Sequence, residues 1–140
     1  MVSKILIALG VVIYAVVVPF LEINSSHVFN PSWPAHARFH EVWQLTTNFF
    51  IGIVALWLAF NKNSIRIASI LNIVVMGGAL VAHVLEKSYG GSIISGNTGI
   101  IILGMELAAF AASVVVVLAI TALFLASRPQ VSPKDSEYIS

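Results

Sequence analysis

The stretch GIIILGMELAAFAASVVVVLAITALFLA, residues 99–126, decides the fold. It carries a single ionisable side chain, Glu106, and at about 1.5 Å of helical rise per residue it is long enough to cross a hydrocarbon core of about 30 Å. A bilayer leaves no water for backbone amides, so a run of this kind must be helical. Three similar runs lie upstream, at about 5–21, 43–60 and 65–85. The expected fold is therefore all-α: an integral membrane four-helix bundle over residues 1–127. The polar tail 128–140, which contains two prolines, is expected to be disordered and cytoplasmic.

Composition supports the same class. Of 140 residues, 59% are hydrophobic and 9% charged, with a mean hydropathy of +0.97, whereas an ordinary soluble domain carries about 25% charged residues. The 7 lysines and arginines are scattered along the chain, so no basic patch for nucleic acid forms. Cysteine is absent, which removes disulfides, thiolate metal sites and cysteine nucleophiles. The first span ends in Pro19, Phe20 and Leu21 rather than in a small-residue cleavage site, so it reads as an uncleaved anchor.

With four crossings, Lys4, Lys62, Arg66, Arg128 and Lys134 share one side, and Arg38 and Lys87 the other. The positive-inside rule then places both termini in the cytoplasm, with the plasma or cytoplasmic membrane as the expected location. The remaining polarity gathers at the outer face. Glu22, His27, His36, Arg38, His40, Glu41, His83, Glu86 and Lys87, and with them all four histidines, fall at outer helix ends or in the first connection.

That connection, EINSSHVFNPSWPAHARFHE (residues 22–41), is long for a compact bundle, and long connections tend to be functional. Asn30-Pro31 and Trp33-Pro34 break helical structure, and Ser32 is placed to cap a second helix whose first turn accepts Pro34. His36 and His40 then lie four residues apart on one face, continued toward the bilayer interior by Gln44, Thr47 and Asn48. Imidazoles at that spacing can share a metal ion, or one can ligate haem while the other hydrogen-bonds. The third helix repeats the pattern with Glu86, His83 and, further inward, Asn72. Glu106, read as seven residues into the fourth helix, lies roughly 10 Å below the outer surface. A carboxylate at such depth costs about 2.5–3.5 kcal/mol and calls for a partner, with Arg38, Lys87 or a histidine as candidates. Gly77-Gly78, Gly99, Gly104, Ala108-Ala109 and residues 111–113 are expected to let helices approach closely.

The segment NPSWPAHARFH (residues 30–40) and its continuation through Asn48 resemble a group of small four-helix membrane proteins and, more remotely, the styrene oxide isomerase family. The similar elements are Trp33, Arg38, His40 and Asn48, with looser likeness at Asn72 and at Gly96-Asn97. The resemblance implies a bundle that oligomerises and holds haem b through His40, the ferric iron acting as a Lewis acid on an epoxide oxygen.

The leading expectation is an integral-membrane enzyme that takes a small lipophilic substrate into a polar cavity near the outer face. Acid or Lewis-acid chemistry, such as epoxide isomerisation, opening or cyclisation, fits the residues. Glu106, His36, Arg38, Glu41 and Asn48 are the catalytic candidates and His40 and His83 the cofactor ligands, with His36, His40 and His83 as a possible metal set. Glu22, His27, Asn30, Gln44, Asn72 and Glu86 are supporting residues. The cofactor alternatives are haem b, a His-bound metal ion, or none where acid catalysis acts alone. A haem-binding electron-transfer protein and a small transporter or metal-binding subunit are the competing classes. The expected partners are the bilayer, a lipophilic small molecule and further copies of the chain.

Overall fold

The computed structural model describes residues 1–94 and 98–127. The tail 128–140, Gly96-Asn97, and the orientation residues Arg128 and Lys134 lie outside the described residues. Among those described, four helices are long and apolar enough to cross a membrane: α1 (Val2–Glu22), α2 (Ala35–Phe60), α3 (Ile65–Tyr89) and α4 (Leu107–Ser127). Two boundaries differ from the sequence expectation. Helix α2 begins at Ala35, with Pro34 rather than Ser32 as its N-cap residue and no side-chain cap bond, and so extends eight residues before the apolar span read from about residue 43. Helix α4 begins at Leu107 rather than near Gly99, because residues 101–106 form a two-stranded hairpin, so the chain is not purely helical.

Helix α1 contains a π-helical turn at Ile13–Val17, where the Val18 N–H reaches back to the Ile13 carbonyl. Pro19 follows directly. It has no N–H to give to Ala15, and its ring would crowd that carbonyl in a regular α-helix, so the widened turn just before it relieves the clash.

Helices α1 and α3 meet at the centre, α4 packs on both, and α2 covers them from the other side. Small side chains make these contacts. The buried stripe of α4 is Ala109, Ala112, Val115, Ala119 and Ala122, and that of α2 includes Gly52, Ala55 and Ala59. Between helices in lipid, close backbone approach supplies the packing attraction that the hydrophobic effect supplies in water. The tightest approaches at glycines between helices are at Gly10 and Gly52. A Cβ on Gly10 would stand 2.7 Å from Asn72 Nδ2, and one on Gly52 would stand 2.9 Å from Val11 Cγ1. Gly77-Gly78, Gly99 and Gly104 do not have the expected role, since no atom lies closer than 3.9 Å to a Cβ built on any of them.

One polar junction sits inside this apolar core. Asn72 is fully buried; its Oδ1 accepts from the Tyr14 hydroxyl at 3.0 Å and its Nδ2 donates to the Ile7 carbonyl at 3.1 Å. Asn72 therefore does not continue the His83–Glu86 face toward a cavity; it ties α3 to α1. Ser69, one turn before it, is also buried, and its hydroxyl finds no partner among the described residues.

The ends of α1 and α3 and the beginnings of α2 and α4 lie at one end of the bundle, here the connection end. At the opposite end α2 and α3 are joined by a tight turn at residues 61–64, in which Asn63 takes a positive φ of 51°.

Candidate functional site

The connection after α1 is ordered by its own short-range bonds. The Val28 N–H donates to the Glu22 carbonyl at 3.2 Å, and the Asn24 carboxamide accepts from the Ser26 N–H at 2.8 Å. Asn30, a supporting candidate, has a structural role here: it donates to the Ser26 carbonyl at 2.9 Å and accepts from the Ser32 N–H at 2.9 Å. Together these turns fold the chain back over the end of α1 and bury His27, which keeps 7% of its surface exposed.

His27 joins a chain of side chains. Its Nε2 lies 2.9 Å from Glu22 Oε2, its Nδ1 lies 2.8 Å from Ser26 Oγ, and its ring meets Trp33 edge-on at 5.4 Å. The Ser26 hydroxyl gives its proton to Asn24 Oδ1 at 2.6 Å. With that proton committed, Nδ1 is the donor to Ser26, and a bond from Nε2 to the Glu22 carboxylate requires a proton there as well. The contacts are thus all satisfied when the ring is an imidazolium paired with Glu22. Glu41, half-buried near the start of α2, lies within electrostatic reach of both Glu22 and His27. Three elements, α1, the connection and α2, thereby bring two carboxyl groups and one imidazole together.

Other expected members go elsewhere. His36 and His40 are exposed on α2, their Nε2 atoms 3.0 Å apart, and they stack with Phe39 and Trp43. Arg38 is half-buried and makes no ion pair among the described residues. Gln44 is exposed, Asn48 half-buried, and neither side chain is hydrogen-bonded among those residues. His83 pairs with Glu86 at 3.0 Å within α3, and Glu86 also accepts from the Ile93 N–H at 2.9 Å, which fixes the chain leaving that helix. His40 and His83 are each paired inside their own helix rather than with one another. Among the described residues no group of three or more His, Asp or Glu side chains is arranged to hold a metal ion.

Glu106 closes the hairpin and directly precedes α4 rather than lying seven residues inside it. Its depth can be judged from the Gly10–Val115 contact: Val115 is nine residues beyond Glu106, and Glu22 is twelve beyond Gly10. At about 1.5 Å per residue, Glu106 sits roughly 4 Å nearer the bundle centre than Glu22. It forms no ion pair among the described residues, so the expected partnership with Arg38, Lys87 or a histidine is not made.

Among the described residues, none of these groups lines either of the two recorded grooves. The larger recorded groove, about 300 Å³, is open, almost wholly apolar, and lined by Thr47, Phe50, Ile51, Val54 and Leu71 between α2 and α3. From the sequence, Asn24 and Ser26 read only as part of a glycosylation sequon at residues 24–26, and Tyr14 carried no role. For the first two the signal was a serine next to a histidine, shortly after a helix-ending glutamate. For Tyr14 it was a hydroxyl in an apolar span, which needs a partner wherever it is buried. Comparison with protein-family models, with curated proteins and with solved structures yields no match.

Proposed function

We propose that the chain is an integral-membrane enzyme that acts on a small lipophilic substrate by acid chemistry at the connection end, with epoxide isomerisation, opening or cyclisation as the reaction type. The observation that supports this reading is the convergence of Glu22, His27 and Glu41 at one end of a bundle that is otherwise apolar. Glu41 makes no hydrogen bond among the described residues, which leaves its carboxyl group available to a substrate, while Glu22 is engaged by His27.

In this reading Glu41 gives its proton to the epoxide oxygen as the carbon–oxygen bond breaks. The carboxylate so formed takes up the proton released when the rearranged cation collapses to product, so the enzyme ends as it began. Arg38, three residues earlier on the same helix, is a neighbour able to steady negative charge on the oxygen. The Glu22–His27 pair positions the connection and sets the field around Glu41. A lipophilic substrate would arrive through the bilayer, for which the open apolar groove between α2 and α3 provides a surface.

The test is turnover of a terminal epoxide such as styrene oxide by detergent-purified protein, with product followed by chromatography. Glu41→Gln should lower the rate by about 100-fold or more, the usual contribution of a positioned acid, and Glu106→Gln should leave it nearly unchanged. Full activity in Glu41→Gln sinks the proposal, whatever Glu22→Gln does. A visible spectrum of the same preparation separates the competing class: a low-spin haem that reduces reversibly would replace acid catalysis by electron transfer.

A further inference from the structure

We propose that His36 and His40 form a two-ligand half-site for a divalent transition-metal ion, closed by the same pair from a second copy of the chain. Their Nε2 atoms converge to 3.0 Å from consecutive turns of α2. A contact between two imidazole nitrogens at that distance needs one lone pair and one proton, because two N–H groups would repel and two lone pairs would as well. An N–H···N hydrogen bond meets that need, and moving the donor's proton to its own Nδ1 leaves two adjacent Nε2 lone pairs that one metal ion can share.

The geometry suits a metal. With bonds of about 2.0–2.1 Å, nitrogens 3.0 Å apart subtend roughly 90–95° at the ion, and widening to a tetrahedral angle moves them apart by only about 0.3–0.4 Å. Both rings are exposed, neither is tied to a carboxylate, and they occupy the first two turns of α2, where an ion can arrive from water. The rings are also held in place: His36 stacks on Phe39 at 6.3 Å and His40 on Trp43 at 5.6 Å.

Two ligands do not complete a zinc site, which takes four, and no third ligand stands beside the pair among the described residues. Phe39 and Trp43, 61% and 58% exposed, flank the pair as an uncovered aromatic surface. A second copy laid on this face about a two-fold axis supplies the missing pair and covers those rings, since a two-fold contact uses the same patch on both chains.

The experiment titrates zinc into detergent-purified, chelator-stripped full-length protein by calorimetry and follows the oligomer by light scattering. The expected result is one zinc per two chains with a shift toward dimer. His36→Gln and His40→Gln should each weaken binding by roughly tenfold or more, and His83→Gln should bind as the parent does. Unchanged metal-free melting temperatures establish that the variants are folded. Zinc affinity in both variants equal to that of the parent overturns the site, and one zinc per chain with no change in oligomer overturns its closure by a second copy.

Discussion

At the scale of single residues, Asn72 and Tyr14 are the most consequential pair in the core. Each is fully buried, and the bond between them crosses from α3 to α1. In lipid the separated helices can satisfy such groups in other ways, so interhelical hydrogen bonds of this kind contribute about 0.6 kcal/mol on average and up to about 1.7 kcal/mol. Tyr14→Phe and Asn72→Leu should each lower the melting temperature in detergent. A double-mutant cycle should give a coupling of about 0.5–1.5 kcal/mol, and strict additivity would show that the bond is not made. The sequence placed Asn72 on a polar face leading to His83. Its position 17 residues from the end of α3, at the level where α1 approaches through Gly10, is what turned it into a tie between helices.

At the scale of elements, the hairpin before α4 carries an unusual residue. Ile102 pairs with Met105, so Leu103 and Gly104 form a two-residue turn with φ of 52° and 78°. Such turns favour Asn or Gly at both positions, and a leucine there costs about 1–2 kcal/mol through its Cβ. Leu103 is 89% exposed, so packing of its side chain does little to offset that cost. Leu103→Gly should therefore slow amide hydrogen exchange across residues 101–106 rather than accelerate it, and faster exchange would contradict the strain. This element was hidden in the sequence by its apolarity: Ile100, Ile101, Ile102 and Leu103 satisfy a hydropathy reading of a helix as well as they satisfy a short hairpin. The same ambiguity misplaced Glu106, whose distance from the helix start depended on where that start was set.

At the scale of the whole molecule, the antiparallel arrangement puts residues 23–34 at one end and residues 61–64 at the other. Lys4 stands over the Phe60 ring at 5.8 Å, which brings the start of α1 to the end of α2. The native chain has no cysteine, so single-cysteine variants report sidedness cleanly. Ser25→Cys and Asn63→Cys should react with an impermeant maleimide from opposite sides of the membrane, with Asn63→Cys on the cytoplasmic side if the Lys and Arg bias governs insertion. Labelling of both from one side would rule out the four-crossing arrangement.

The sequence by itself determined the number of helices, their apolar character and most of their termini, because length and hydropathy depend only on which residues are adjacent along the chain. It also brought the polar residues to one end. Only the tertiary structure decided which of them meet. His27 closes on Glu22 through turns made by Asn24 and Asn30, whereas His36 and His40 face away from the bundle although they lie only a few residues further on. Helical spacing tells which side chains share a face, but the rotation of α2 about its axis is set by its buried stripe, where Gly52 packs against Val11 and Ala15 of α1. The close approaches at Gly10 and Gly52 were invisible for the same reason: a glycine in an apolar run says nothing until a neighbouring helix fills the space its missing side chain leaves.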